Sequence, residues 1–460
     1  MTGEGNRALF APARPLAPKA YPSFWRFLHA ARTNALLMWP DDAYERPFIR
    51  QSFLGHTRLL LNDPAAIHHV LVGHPGNYRR PTSISRIIRP IAGDGLVLSE
   101  GEAWRHQRRT IAPALGPRII PLLCHHVAAS LAETIEQLRR DAAAPVNMRS
   151  VLQNLALNIA GRSMFSLEMH DYGDAITTAM TRYNERHTRP SLLDMVLPLH
   201  IPSPRDFGRR RFQRGWMGLV ETIMEARLRL PPTDTPRDLF DLLIAARDPE
   251  SGQGFSRDQL RDQTATMILA GHETTATTLF WSLTLLAQVP AEQERVAMEA
   301  ASHDFSPDAA AATLAELPQT RAVISEALRL YPPAFTLARE AIAADNAAGI
   351  EIPAGALIWI APWVLHRHRR LWRDPDAFDP SRFLPAAPTP PRFAYLPFGA
   401  GPRVCIGSQF ALAEATLVLA ALIRNFRVEL VERQPVLPVA VATTQPDRAP
   451  LFRLIPRSAA

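Results

Sequence analysis

The stretch Phe398-Gly399-Ala400-Gly401-Pro402-Arg403-Val404-Cys405-Ile406-Gly407 decides how this chain is read. It sets a single cysteine among glycines that permit tight turns and a close approach of the backbone to a flat group. The chain has 460 residues and two cysteines, Cys124 and Cys405. No disulfide framework is therefore available, which fits a reducing cytoplasm and leaves each cysteine either a buried hydrophobe or a reactive group. Cys124 suits the first description. It lies beside His125 and His126 in a helical pattern, and a zinc site would need further ligands at suitable spacing. For Cys405 a buried free cysteine is also the default, and what sets it apart is the glycine-rich loop around it.

Working outward, the composition is 47% hydrophobic and 21% charged, which is that of a globular enzyme and excludes a disordered chain. The net charge is +7, carried almost wholly by arginine, Lys19 being the only lysine. Those arginines are spread along the chain without a nucleic-acid-binding signature, so no nucleic-acid partner is expected. The longest apolar run near the N-terminus, Ala35 to Pro40, is far shorter than the roughly 20 residues that span a bilayer, and no signal-peptide core is present. The expectation is a cytoplasmic protein without a transmembrane segment.

Residues 1–22 read as a loose, proline-rich entry, and residues 23–460 as a single domain. Apolar spacing at Phe24, Trp25, Phe27, Leu28 and Ala31 predicts a short surface helix, and Gln51 to Leu61 predicts a strand pair ending at Asn62-Asp63-Pro64. Helical patterns then dominate: Pro121–Asp141, Met148–Ser166, Arg209–Leu228, Asp238–Ala246, Ser256–Ala287 and Leu314–Leu330. Ser256 and Gln259 form a capping-box pattern at the start of the longest, and Pro290 fits its end. The segments Pro231–Pro236 and Asp248–Gly254 read as surface loops. After Tyr331 the pattern turns to short β-prone runs and a proline-rich stretch from Phe378 to Pro397, then one more helix. The fold class is mainly α with a small β region.

Three further patterns accompany the cysteine loop. Inside the longest helix stands Ala270-Gly271-His272-Glu273-Thr274-Thr275, where a mid-helix glycine costs about 1 kcal/mol against alanine and adjacent hydroxyls can divert a backbone carbonyl from its helical partner. Glu326 and Arg329 share one face of a predicted helix at i, i+3. Trp104 and Arg108 stand one helical turn apart, so an indole N–H and a guanidinium can reach the same anion.

The cysteine loop matches F-x-x-G-x-R-x-C-x-G at every fixed position and resembles the cysteine loop of the cytochrome P450 family. The other patterns resemble that family's oxygen-activation motif A-G-x-[DE]-T-T, its E-x-x-R pair and its W-x-x-x-R pair. All stand in the family's order across roughly residues 50 to 450. What the resemblance implies is a triangular helical prism enclosing haem b, with Cys405 as thiolate ligand to the iron. Phe398 would shield the sulfur, and Trp104, Arg108, Arg339 and Arg403 would hold the propionates. Thr274 with Glu273 would deliver protons, beside a local bulge of the long helix. Glu326 and Arg329 would join Arg382 in a buried structural network. His272 occupies a variable position of the motif and is expected to be structural.

Segments resembling the family's recognition regions run over residues 82–95, 184–199, 267–271, 333–337 and 442–445. From them come the substrate-pocket candidates Ile87, Ile88, Met267, Ala270, Gly271, Ala334, Phe335 and Thr443, mostly apolar. The implied activity is a monooxygenase that inserts one atom of O2 into a hydrophobic small molecule. Its electrons would come from NAD(P)H through a separate ferredoxin or flavodoxin and its reductase, since no flavin, nicotinamide or iron–sulfur segment is visible. A peroxide-using haem-thiolate enzyme and a non-catalytic haem sensor are the alternatives. If Arg108 and Arg403 turn inward, Arg105 and Arg109 would be left as a basic docking surface for an acidic donor.

Overall fold

The computed structural model describes residues 9–457 apart from 54, 142–143 and 198. Its body is helical, and the helix that organises it is Arg257–Gln288, 32 residues long. Ser256 starts this helix by a reciprocal cap. Its hydroxyl accepts the Gln259 amide at 3.3 Å and its own amide donates to the Gln259 side chain at 2.9 Å. The C-terminal half is buried all round, from Thr275 through Leu286, so it runs through the core rather than across the surface. Met148–Phe165, Ser408–Asn425 and Pro318–Leu330 pack against it. Trp281 is fixed on three sides: Tyr331 stacks on it at 3.9 Å, Phe280 meets it edge-on, and its indole donates to the Thr444 carbonyl at 2.8 Å.

The helices expected at 121–141, 148–166, 238–246 and 256–287 occur at Ile120–Arg140, Met148–Phe165, Leu239–Ala245 and Arg257–Gln288. Two expectations are corrected, and proline is the reason in both. The helix expected from Arg209 begins at Pro204, where proline fills the first helical position and Ser203 with Asp206 forms a capping box. The helix expected from Leu314 is a short 3-10 turn, Leu314–Glu316, followed by a new helix that Pro318 opens. Helices Thr82–Ala92, Gly173–Arg186 and Pro290–Ala301 add to these.

The β part is a five-stranded sheet in the order Phe48–Phe53, His56–Leu61, Leu357–Ile360, Leu337–Ala341, Tyr78–Arg79. The first two strands form the expected hairpin, and only the His56–Leu61 and Leu357–Ile360 pair runs parallel. Leu59, Leu61, Ile358 and Ile360 seal a second, smaller core beneath this sheet. Residues 9–22 form no helix or strand, yet the loose entry expected there is fastened down. The Phe10 carbonyl accepts from Phe378 at 2.8 Å, and Arg14 pairs with Asp376 at 3.0 Å. Among the described residues no helix is long and apolar enough to cross a membrane.

Candidate active site

The cysteine loop lies between the small sheet and the Ser408–Asn425 helix, and its shape follows from two glycines. Gly399 and Gly401 have φ of +71° and +73°, where a side chain is strained. At Gly401 there is also no room, because a Cβ would stand 2.0 Å from the Leu71 carbonyl oxygen. The Cys405 amide then donates back to the Phe398 carbonyl at 2.9 Å. This turn aims the Cys405 sulfur into a cavity of about 380 Å³. Cys405 is exposed to the cavity it lines, while protein encloses it closely enough that burial raises its thiol pKa. The Gly407 amide and the Arg108 guanidinium work the other way and favour the thiolate.

The cavity is mainly apolar. The long helix contributes Met267, Ala270, Gly271 and Thr274, and the segment before the Leu337–Ala341 strand contributes Ala334. A Cβ on Gly271 would come within 2.9 Å of Met164, another lining residue, so glycine here sets the width of the wall. The Thr274 hydroxyl donates to the Ala270 carbonyl at 2.7 Å and Thr275 to that of Gly271 at 3.2 Å. The helix nevertheless stays unbroken through Gly271, and the expected bulge is absent from it. Each hydroxyl shares its carbonyl with the backbone ladder instead of displacing it.

Four of the pocket candidates do not line this cavity. Phe335 is buried in the main core. Ile87 and Ile88 are half-buried on the Thr82–Ala92 helix, where the Ile87 carbonyl accepts from Tyr183. The Thr443 hydroxyl donates to Glu273 at 3.0 Å, and Gln445 binds the same carboxylate at 2.9 Å. Glu273 therefore faces the 438–446 hairpin and not the cavity, so the structure does not bring it together with Thr274 on one wall. Neighbours on a helix diverge by about 100°, and a consecutive motif hides that divergence. His272 is buried, and burial lowers its pKa.

At one end of the cavity four guanidinium groups gather. Arg108 donates to the Val404 carbonyl at 2.9 Å, bracing the cysteine loop. Arg403 lies over the Trp104 ring at 4.4 Å, donates to the Ser99 carbonyl at 3.1 Å and pairs with Glu100. Arg339 donates to the adjacent Ala338 carbonyl at 2.9 Å. The fourth, Arg80, was not anticipated. It precedes the Thr82–Ala92 helix and pairs with Glu100 at 3.2 Å, and in sequence it is one arginine among many. Burial and mutual repulsion hold Arg80, Arg339 and Arg403 each down at about 10. Among the described residues the one carboxyl lining the cavity is that of Glu414, and full burial pushes it well above the usual carboxylate range.

Crowded cations with so little compensating charge call for anions, while the remaining walls call for a flat apolar body beside a cysteine sulfur. Haem, with two propionates, meets all three demands. A larger cavity of about 640 Å³ is lined mostly by polar residues, lacks Cys405, and shares only Arg80 with the first.

The cytochrome P450 family model matches residues 15–448. The chain belongs to the cytochrome P450 family. It is 30% identical to "Protein LUTEIN DEFICIENT 5, chloroplastic" of Arabidopsis thaliana over 420 residues, 86% of this chain and 69% of that one. It is 31% identical to cyclooctatin synthase of Streptomyces melanosporofaciens over 381 residues, 79% of each chain. It is 30% identical to pentalenene oxygenase of Streptomyces avermitilis over 376 residues, 80% of this chain and 82% of that one. This P450 is accordingly a haem-dependent oxidoreductase of the monooxygenase class, acting on a hydrophobic substrate.

Away from the cavity the P450 fold is held by Glu326, Arg329 and Arg382. Arg329 grips Glu326 through two bonds of 2.6 and 2.7 Å, both side chains being fully buried. Arg382 approaches the same carboxylate at 3.6 Å. The docking surface expected at Arg105 and Arg109 is corrected. Arg109 grips the buried Asp248 at 2.9 and 3.0 Å and also meets Glu102 and Glu250, while Arg105 pairs with Glu102 at 2.8 Å. Arg109 is thus committed to a buried carboxylate, while Arg105 stays exposed in a surface pair.

Arg80 yields a direct expectation. Arg80→Met should speed haem loss to an acceptor protein by roughly 10-fold or more, since a hydrogen bond to a charged group is worth about 1.5–3 kcal/mol. An unchanged rate would remove Arg80 from the propionate site.

Proposed function

We propose that this P450 inserts one oxygen atom of O2 into a C–H bond of an apolar organic molecule, with Cys405 as the thiolate that holds haem b. The observation that carries this reading is that one mainly apolar cavity is lined by both Cys405 and Thr274. Haem, when bound, supplies the iron chemistry that activates dioxygen. The protein supplies the rest. Gly407 and Arg108 favour the charged form of the sulfur, and Phe398 at the cavity wall keeps water from it. Arg80, Arg108, Arg339 and Arg403, with Trp104, orient the cofactor by its propionates. Met267, Ala270, Gly271 and Ala334 receive the substrate through apolar contact, as do the neighbouring lining residues Pro333 and Leu337.

Thr274 is the proton-handling group at the cavity. Its Oγ1 donates to the Ala270 carbonyl and keeps lone pairs to accept a proton from water before passing it on. Delivery from Glu273 requires release of its bonds to Thr443 and Gln445. The electrons originate in NAD(P)H and arrive through a separate ferredoxin or flavodoxin with its reductase. With Cys124 and Cys405 both unpaired, the cytoplasm is the compartment that suits this chemistry.

The test is a screen of apolar compounds for the low-to-high spin change of the haem spectrum, followed by turnover with a reconstituted donor under isotopically labelled dioxygen. The product is expected to carry one labelled atom. Oxygen from added peroxide alone, or binding without product, would overturn the reading. Thr274→Ala should keep haem and substrate binding while product per NAD(P)H falls on the order of 10-fold, the remainder appearing as hydrogen peroxide or water. Unchanged coupling would remove Thr274 from the mechanism.

A further inference from the structure

His69, His74 and Asp345 converge on the outer side of the small sheet, and none of them lines the Cys405 cavity. Two features of the backbone bring them together. The helix Pro64–His68 runs into a π-turn, His69–Gly73, closed by the His74 amide donating to the His69 carbonyl at 2.8 Å. In an α-helix, side chains five apart diverge by roughly 140°. The wider π-turn returns them to one face, which is why such turns recur at functional sites. Here the two imidazole rings lie 4.0 Å apart at an angle of 32°.

The second feature is the hairpin that starts at Asp345. One carboxylate oxygen of Asp345 accepts the Asn346 amide at 2.7 Å. The other accepts from the Tyr78 hydroxyl at 2.8 Å and lies 3.0 Å from His69 Nε2. Burial opposes ionisation of this carboxyl, but the bonds from His69, Tyr78 and Asn346 outweigh it and hold the group well below the usual carboxylate range. An anion with outer donors thus faces two imidazoles, the arrangement that orients metal ligands in known sites. Solvent reaches all three: the His69 and Asp345 side chains are 19% and 20% exposed, and His74 is exposed.

We propose that His69, His74 and Asp345 form a site for a zinc-class divalent cation, with water completing the coordination. The three ligand atoms lie within 4.8 Å of one another. Zinc bonds of about 2.0–2.2 Å require ligand atoms roughly 3.4 Å apart, so the closure needed is about 1 Å, within reach of a rotation of the exposed His74. Two imidazoles and one carboxylate select zinc over magnesium or calcium, which prefer all-oxygen shells. On binding, the cation replaces the proton that His69 Nε2 shares with Asp345, and that proton is released to solvent. The π-turn so pinned carries Leu71, whose carbonyl rests against Gly401 of the cysteine loop. A cation here therefore ties the sheet edge to the support of the active-site cysteine.

The test uses the haem-loaded full chain, so that Cys405 is not offered to the added metal. Equilibrium dialysis against zinc chloride, with zinc counted per chain, is expected to give one tight zinc per chain and none for magnesium chloride. His74→Ala and Asp345→Asn should each weaken it by more than about 100-fold, beyond the loss seen when outer-shell partners are removed, with the haem spectrum unchanged. Zinc should also slow amide exchange across residues 70–77 in the wild type and not in His74→Ala. Should Asp345→Asn disturb the hairpin, the exposed His74 decides alone. Zinc held equally by wild type and His74→Ala, or no zinc held by either, overturns the site and leaves a plain hydrogen-bonded cluster.

Discussion

Cys405→Ala is expected to abolish the red-shifted absorption of the reduced carbonyl complex and with it all monooxygenase turnover, while Cys124→Ala leaves both in place. The contrast rests on what surrounds each sulfur. Cys124 is buried in the main core, away from the cavity, and burial pushes its thiol up to about 11. Cys405 also feels burial, but it lines the cavity and has the Gly407 amide and Arg108 beside it to favour the thiolate. With haem bound, that thiolate would be its ligand and would supply the electron donation on which haem-thiolate chemistry depends, so its loss would remove chemistry and not merely affinity. The measurement is the carbonyl difference spectrum of each variant reconstituted with haem. A surviving red-shifted band in Cys405→Ala, or its loss in Cys124→Ala, would sink the ligand assignment.

The helical body was legible because its signals are local. The Ser256 and Gln259 cap and the turn Asn62-Asp63-Pro64 could be read from neighbouring residues, and each stands where such signals place it. Asp63 in fact caps the next helix, its side chain accepting the Ala66 amide at 2.8 Å. Proline was the ambiguous sign. The helix patterns read from Arg209 and from Leu314 take no account of Pro204 and Pro318, yet both occupy the first position of a helix, where a missing amide costs nothing.

The site was legible in its residue types and less so in its directions. Cys405, Arg108, Arg403, Trp104 and Thr274 all line one cavity, since each belongs to a motif whose spacing carries the geometry, and Arg339, expected from the resemblance alone, lines it too. Arg80 joins them through the fold alone. Strand Tyr78–Arg79 pairs with Leu337–Ala341 and so carries Arg80 to the same cavity as Arg339, across a separation in sequence that no local pattern spans. Glu273 shows the converse. Its neighbour in sequence faces the cavity, but its own carboxylate is captured by Thr443 and Gln445 from the far end of the chain. Arg105 and Arg109 were read as free cations because the carboxylate that neutralises Arg109, Asp248, lies 139 residues further on.

Arg329→Met is expected to cost about 3–5 kcal/mol, because it takes from Glu326, a fully buried carboxylate, its two closest charged hydrogen bonds. The magnitude can be separated into two parts. Arg329 neutralises Glu326, and it also satisfies the carbonyls of His366, Pro375 and Ala377 at 2.8, 2.6 and 2.8 Å. Removing both charges in the double variant Glu326→Leu/Arg329→Met eliminates the first part, and buried ion pairs replaced together are often nearly neutral. The three carbonyls still lack the donor they had in Arg329, so the double variant should recover only part of the loss. Arg382 compensates only in part, since its Nε stands 3.6 Å from Glu326 while its Nη2 is held by the Asp374 carbonyl at 3.0 Å. These carbonyls anchor the 374–383 segment that leads into the cysteine loop, so haem should also be released more readily from both variants. Denaturant unfolding of the haem-loaded proteins, followed by haem absorption and by far-ultraviolet circular dichroism, reads both effects. A cost for Arg329→Met within about 1 kcal/mol of wild type, the range of an exposed pair, would show that the buried pair does not hold the fold, and full recovery in the double variant would show that the three carbonyls contribute nothing.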